Sequence, residues 1–141
     1  MNTSVEATRQ IQLSINFQER PIKRLLFWQD DKLRRVVALN RYKKFLFLIK
    51  KYPNQKFIPT VDIDYYWHQH LESPVSYYND CINIFGNILS HNGGFGRNRN
   101  ERQQWKELFQ KTSYLWQLEY NEPYKTNVFC KAKYCTSEVR N

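Results

Sequence analysis

The strongest indication of the fold is the segment Val61-Asp-Ile-Asp-Tyr-Tyr-Trp-His-Gln-His70. On a helical wheel, apolar and aromatic side chains fall on nearly every side of this segment, which is typical of a helix buried in the centre of a domain. Asp64 and His68 lie four residues apart on one of these apolar sides. A buried carboxylate and a buried imidazole cost free energy unless they contact each other, other polar groups or a metal ion. The segment therefore predicts a central helix that carries a polar site and buries Trp67.

Two longer segments, one on each side of the central one, also have helical periodicity. Apolar residues recur every three to four positions over residues 31–52, where Pro53 ends the pattern. The same spacing recurs over residues 100–120, which begin with Asn100 and Gln103 as a capping box. Both segments are predicted to be helices that pack against the central one.

Capping signals mark the central helix and the helix that follows it. Thr60 is the predicted N-cap of a helix over residues 60–71. Ser73 and Pro74 are a strong helix start, with serine as N-cap and proline at the first helical position, and predict a helix over residues 74–89. The stripe of this helix that is predicted to face the core comprises Val75, Tyr78, Ile82, Phe85 and Leu89.

The segment Ile11–Phe17 fits two structures, because it alternates like a strand and also pairs apolar residues at helical spacing. We favour a helix, since the remainder of the chain is helical. The sequence thus predicts an all-α fold, a single small domain of four to six helices around the short helix that carries Trp67-His68-Gln69-His70. This domain is expected to span residues 1–125, with its motif core at 57–92, and to be followed by a basic C-terminal tail at 126–141.

Composition supports one compact domain. The chain has 141 residues, and its 4 Trp, 10 Tyr and 9 Phe provide enough large rings for a packed core and argue against disorder. No apolar run approaches the roughly 20 residues that span a bilayer, and the N-terminal sequence lacks the apolar stretch of a signal peptide. The 3 Cys without an export signal indicate a reducing compartment, so we expect a cytoplasmic protein.

The chain is strongly basic. Lys and Arg number 22 against 13 Asp and Glu, a net charge of +9, which favours an acidic protein surface or a nucleic acid as partner. Solubility is the competing explanation, because most cations lie between apolar residues of helical periods, as on solvated faces. A candidate anion-binding site at the start of the last helix comprises Arg97, Arg99 and Arg102; a plain connector is the alternative there.

A metal site is the main functional hypothesis. Asp64, His68, Cys81 and His91 follow one another across a predicted helical hairpin and offer carboxylate, imidazole and thiolate ligands, which suit zinc. His70 is an alternative ligand. Two other interpretations remain open: Asp64 and His68 as a satisfied polar pair with Cys81 as an inert core thiol, or Cys81 as a nucleophile activated by His68 or His91. The alternative function is a basic module for an acidic protein or nucleic acid.

Residues 36–92 resemble the glycine-rich domain-containing protein-like family. The matching residues are Tyr42-x-x-Phe45-Leu46, Pro59, Asp62, Asp64, Trp67-His68-x-His70, Pro74-x-x-Tyr77, Asp80-Cys81, Phe85-Gly86 and His91. The resemblance implies an α-helical domain without an established reaction. It also draws the four proposed ligands into one motif, whereas family members often have Phe at the position of His70.

Overall fold

The chain folds into five α-helices within the residues that the computed structural model describes, which are 3–17, 32–91, 96 and 98–126. The helices are α1 (Thr3–Gln10), α2 (Lys32–Lys51), α3 (Val61–Leu71), α4 (Pro74–Phe85) and α5 (Arg99–Tyr120). These residues contain no strand. The predicted all-α fold is confirmed, whereas the tail beyond Thr126 lies outside the described residues.

The helices pack around an aromatic core. Helix α2 contacts α1 and α3, α3 contacts α4, and α1 contacts α5. Trp67 is buried as predicted, and its ring lies 5.5 Å from that of Phe45 on α2. None of the helices in the described ranges has both the length and the apolar character that crossing a bilayer requires.

A buried ion pair joins α2 to the start of α3. The Nε of Arg41 donates to Asp62 at 2.7 Å, and its Nη2 donates to the Thr60 hydroxyl at 3.1 Å and to the Tyr124 carbonyl at 2.9 Å. Thr60 occupies the predicted N-cap position, yet its hydroxyl donates to the Asp62 carboxylate rather than capping a backbone amide. The group is nearly inaccessible to solvent, so removing one charge of the pair would leave the other uncompensated in the core.

The prediction of a helix over residues 11–17 is wrong. Helix α1 ends at Gln10, and the following residues are irregular, with Ile11 and Phe17 buried. The backbone N–H of Ser14 donates to the Asp80 carboxylate at 3.0 Å, and its hydroxyl donates at 3.1 Å. This long-range anchor replaces the local hydrogen bonds of a helix.

Helix α4 ends earlier than predicted and faces the core with a different side. It ends at Phe85, because Gly86 adopts a φ of 81° and its N–H bonds the Ile82 carbonyl. Val75, Tyr78 and Ile82, predicted to be buried, are 73%, 50% and 37% exposed. The buried side chains are Tyr77, Asp80, Cys81 and Ile84. The polar groups among them have partners inside the domain, which lets this side pack inward.

Helix α5 begins near the predicted position with a different cap. The N-cap is Asn98, whose side chain accepts from the Glu101 N–H at 2.8 Å, rather than Asn100 with Gln103. The Glu101 carboxylate in turn accepts from the Gly96 N–H. Asn98 and Asn100 are each followed three positions later by a side chain that can complete a capping box, Glu101 and Gln103. The contact between Glu101 and Gly96, which lies outside the helix, favours the first pair.

Candidate metal centre

Three of the four predicted ligands converge on the outer side of α3. Asp64 and His68 lie one turn apart on this helix, and His91 follows α4. The Asp64 carboxylate is 2.7 Å from His91 Nε2 through one oxygen and 3.4 Å from His68 Nε2 through the other. One ligand atom from each residue lies within 4.8 Å of the other two. The arrangement is a small polar cluster whose three ligand atoms are close enough together to contact one metal ion.

The cluster is more accessible than the sequence indicated. The side chains of Asp64 and His68 are 41% and 56% exposed, and that of His91 is 9% exposed. The expectation that Asp64 and His68 occupy a buried apolar side of α3 is therefore wrong. The polar residues that α3 does bury are Asp62, Gln69 and His70. Because α3 is apolar or aromatic nearly all round, its periodicity did not determine which side would face the core.

His91 is held against α3 by a phenol on α4. The Tyr77 hydroxyl accepts from Trp67 Nε1 at 3.0 Å and donates to the Leu89 carbonyl at 2.7 Å, which ties the segment before His91 to α3. Burial raises the pKa of Tyr77, so the phenol keeps its proton for this bond. The His91 ring then packs 4.4 Å from the Trp67 ring and 4.6 Å from the His68 ring.

Cys81 is not brought into this cluster. It is reduced, 3% exposed and on the inner side of α4, where its thiol interacts with the phenol of Tyr77. The group of potential ligand atoms found in the described ranges contains Asp64, His68 and His91 without Cys81. The side of α4 that carries the thiol packs into the aromatic core, whereas Asp64 and His68 face outward, and this separates the fourth predicted ligand from the other three.

His70 has a different set of partners. It is 1% exposed, its Nε2 lies 2.8 Å from Asp80, and its Nδ1 lies 2.8 Å from the Tyr42 hydroxyl. A carboxylate only accepts, so Nε2 carries the proton toward Asp80 and Nδ1 of a neutral ring accepts from Tyr42. Both ring nitrogens are thus occupied within the core. No local pattern marks Tyr42 and Asp80 as partners of His70, and the one signal for them is that all three belong to the same family-like motif.

The predicted anion-binding arginines are only partly described. Arg97 lies outside the described residues, while Arg99 and Arg102 are exposed in the first turn of α5 with Glu101 between them. The Asn98 side chain already accepts from a backbone N–H of this turn. Anion binding at this helix end stays a prediction.

The sequence of the chain matches known proteins over part of its length. The model of the glycine-rich domain-containing protein-like family matches residues 4–80, a range that includes Asp64 and His68 and ends before His91. Glycine-rich domain-containing proteins 1 and 2 of Arabidopsis thaliana are 34% and 33% identical to the chain over 94 residues. These matches cover 62% of this chain and 11% of each relative, so the chain spans a small part of their length. No solved structure matches the chain significantly.

Proposed function

This chain belongs to the glycine-rich domain-containing protein-like family, and we propose that it is a small helical domain that binds a divalent metal ion of the zinc type through three of its own side chains. The ligands are Asp64, His68 and His91. The observation that carries the proposal is the convergence of their three ligand atoms within 4.8 Å on α3 and the segment after α4.

The donor set supports zinc. Two imidazoles and one carboxylate are the protein ligands of several zinc sites that keep a fourth position for water or another ligand. The same set serves iron(II) in sites with open positions, so the metal test includes both ions. The exposure of Asp64 and His68 gives an ion access from solvent, which favours an exchangeable metal over a sealed structural one.

One of the distances in the cluster is also close to the spacing of two ligands of a zinc ion. With bonds of about 2 Å, two ligands of a tetrahedral zinc ion lie about 3.3 Å apart. Asp64 Oδ2 is 3.4 Å from His68 Nε2, whereas Asp64 Oδ1, the other carboxylate oxygen, is 2.7 Å from His91 Nε2 in a hydrogen bond. Binding would replace the proton between Asp64 and His91 by the metal ion and would move the two atoms apart by roughly half an ångström. Because the metal competes with protons, its affinity should fall as the pH is lowered.

The test is a competition titration of the purified protein with zinc against a chromophoric chelator, repeated with iron(II) under anaerobic conditions. Asp64→Asn, His68→Gln and His91→Gln should each weaken binding at least about tenfold, because each removes one of three ligands. Glu107→Gln is the matched control, since it neutralises an exposed carboxylate on α5 outside the cluster.

Cys81→Ser separates the three-ligand site from the four-ligand site that the sequence predicted. The substitution should leave zinc affinity unchanged, because the thiol lies in the aromatic core. The proposal fails if the wild-type protein binds neither ion, or if His91→Gln and Asp64→Asn bind as tightly as Glu107→Gln.

A further inference from the structure

A groove of about 690 Å³ runs between α1 and α2, away from the residues of the metal cluster. Helix α1 contributes Val5 and Arg9 to its walls, and α2 contributes Val37 and Lys44. Glu122, which follows α5, also lines the groove. Its volume is typical of clefts that hold a small ligand or a few residues of a peptide.

The walls of the groove carry more positive than negative charge. Its lining includes Arg9, Arg41 and Lys44 against one carboxylate, that of Glu122. Arg41 is balanced from behind by Asp62 and is therefore a fixed, buried part of the floor. Lys44 donates to Glu122 at 2.9 Å, and Arg9 is exposed. The chain as a whole carries a net charge of +9, which favours an anionic ligand at these cations.

Apolar side chains lie beside these cations. Val5 on α1 and Val37 on α2 are 48% and 42% exposed, and both line the groove. A ligand that combines carboxylates with an apolar side chain would satisfy both features. Single-stranded nucleic acid fits less well, because no aromatic ring is among the lining side chains in the described part of the chain, and such rings are the usual platform for bases.

We propose that this groove binds an acidic peptide segment of a partner protein. The carboxylates of the segment contact Arg9 and Lys44, and an apolar side chain inserts between Val5 and Val37. In the absence of the partner, Glu122 supplies the carboxylate beside Lys44, so it competes with the bound segment. The inference is independent of the metal cluster, since the two sites share no residue.

Fluorescence anisotropy with a labelled peptide of Glu-Glu-Leu repeats tests whether the charged side chains of the groove contribute to binding. Arg9→Glu should weaken binding about tenfold, because attraction by one wall becomes repulsion. Lys50→Glu is the matched control: it makes the same charge change at an exposed position of α2 that does not line the groove, and should weaken binding less than twofold. Glu122→Gln should act in the opposite direction and tighten binding severalfold, because the internal competitor loses its charge.

The apolar part is tested with a second pair of variants. Val5→Ser should weaken binding of the Glu-Glu-Leu peptide severalfold and leave binding of a Glu-Glu-Ser peptide nearly unchanged. Val75→Ser on the exposed side of α4 is the control and should affect neither. Circular dichroism verifies that each variant keeps the helical fold.

The proposal is overturned by any of three results. Equal loss in Arg9→Glu and Lys50→Glu would indicate attraction by net charge alone. Weaker binding by Glu122→Gln would contradict its role as a competitor. A single-stranded oligonucleotide that binds more tightly than both peptides, and is weakened by Arg9→Glu, would identify the groove as a nucleic-acid site.

Discussion

At the scale of the residue, His70 illustrates how the core accommodates a polar ring. Its two nitrogens meet Asp80 and Tyr42, and its ring edges pack against Phe17, Tyr42 and Tyr77 at centroid distances of 5.8, 5.8 and 4.9 Å. Burial raises the pKa of Tyr42 well above its ordinary value, so the phenol remains a neutral partner. His70 thus joins α2, α3 and α4 through hydrogen bonds that are shielded from water.

Substitution of this residue should affect stability without affecting metal binding. His70→Phe keeps the aromatic contacts and removes one hydrogen bond from the buried Asp80, which retains those from Ser14. It also takes away the ring nitrogen to which the buried Tyr42 hydroxyl bonds. The free energy of unfolding in urea should fall by about 1–3 kcal/mol, the cost of an unsatisfied buried polar group. Zinc affinity should match that of the wild type. A loss of zinc affinity comparable to that of His91→Gln would instead make His70 a ligand.

At the scale of the element, two glycines with positive φ flank the connection between α4 and α5. Gly86 ends α4 with a φ of 81°, and a Cβ built there meets no atom within 4 Å. Gly96 has a φ of 91°, and its Cβ would lie 2.6 Å from the ring of Trp105. The Trp105 ring is buried and stacks on Phe109 at 5.3 Å, which limits its freedom to move aside. A residue with a Cβ would be strained at both positions, whereas only at Gly96 would the Cβ also overlap a neighbouring side chain.

Alanine at the two glycines separates these effects. Gly86→Ala should lower the free energy of unfolding by about 1–2 kcal/mol, the cost of a left-handed conformation for an alanine. Gly96→Ala should cost a further 1–3 kcal/mol or so, because its methyl group overlaps the Trp105 ring. Urea denaturation of both variants measures the difference. Equal costs would show that the Trp105 ring moves aside freely.

At the scale of the whole molecule, buried tyrosines make stability depend on alkaline pH. Burial raises the pKa of Tyr66 to about 12, and it also raises the pKa values of Tyr42, Tyr120 and Tyr124. In the unfolded chain these phenols ionise near pH 10. The folded state therefore binds protons more tightly than the unfolded state over the interval between the two values.

The sign of the pH dependence follows from these shifts. The contribution of the buried phenols is fully present below about pH 10 and is lost as the pH rises toward their folded values. The free energy of unfolding should thus be lower at pH 11 than at pH 9. Urea denaturation at several pH values measures it, and absorbance at 295 nm follows phenolate formation. A free energy of unfolding that stays constant or rises over this interval would contradict the assignment of these phenols to the core.

The helices themselves were largely determined by local sequence. Helix α2 ends before Pro53, and α4 begins at Pro74 after Ser73, because proline restricts the residue before it and suits the first helical turn. Burial of Trp67 also followed from the sequence, because a helix that is apolar on nearly every side offers few solvent-exposed positions for a large ring. Such signals act over a few residues and can be recognised without knowing the fold.

The sides on which α3 and α4 face the core were decided only by the tertiary structure. Asp62 is buried because Arg41 lies opposite it on α2, and Asp80 is buried because His70 and Ser14 meet its carboxylate. The hydrogen-bonding partners are 10 to 66 residues apart in sequence, so no local pattern contains them. The sequence by itself determined that the chain is helical and carries a polar motif. Only the packing of α2, α3 and α4 decided which polar groups are paired inside, and which, namely Asp64 and His68, face solvent beside His91.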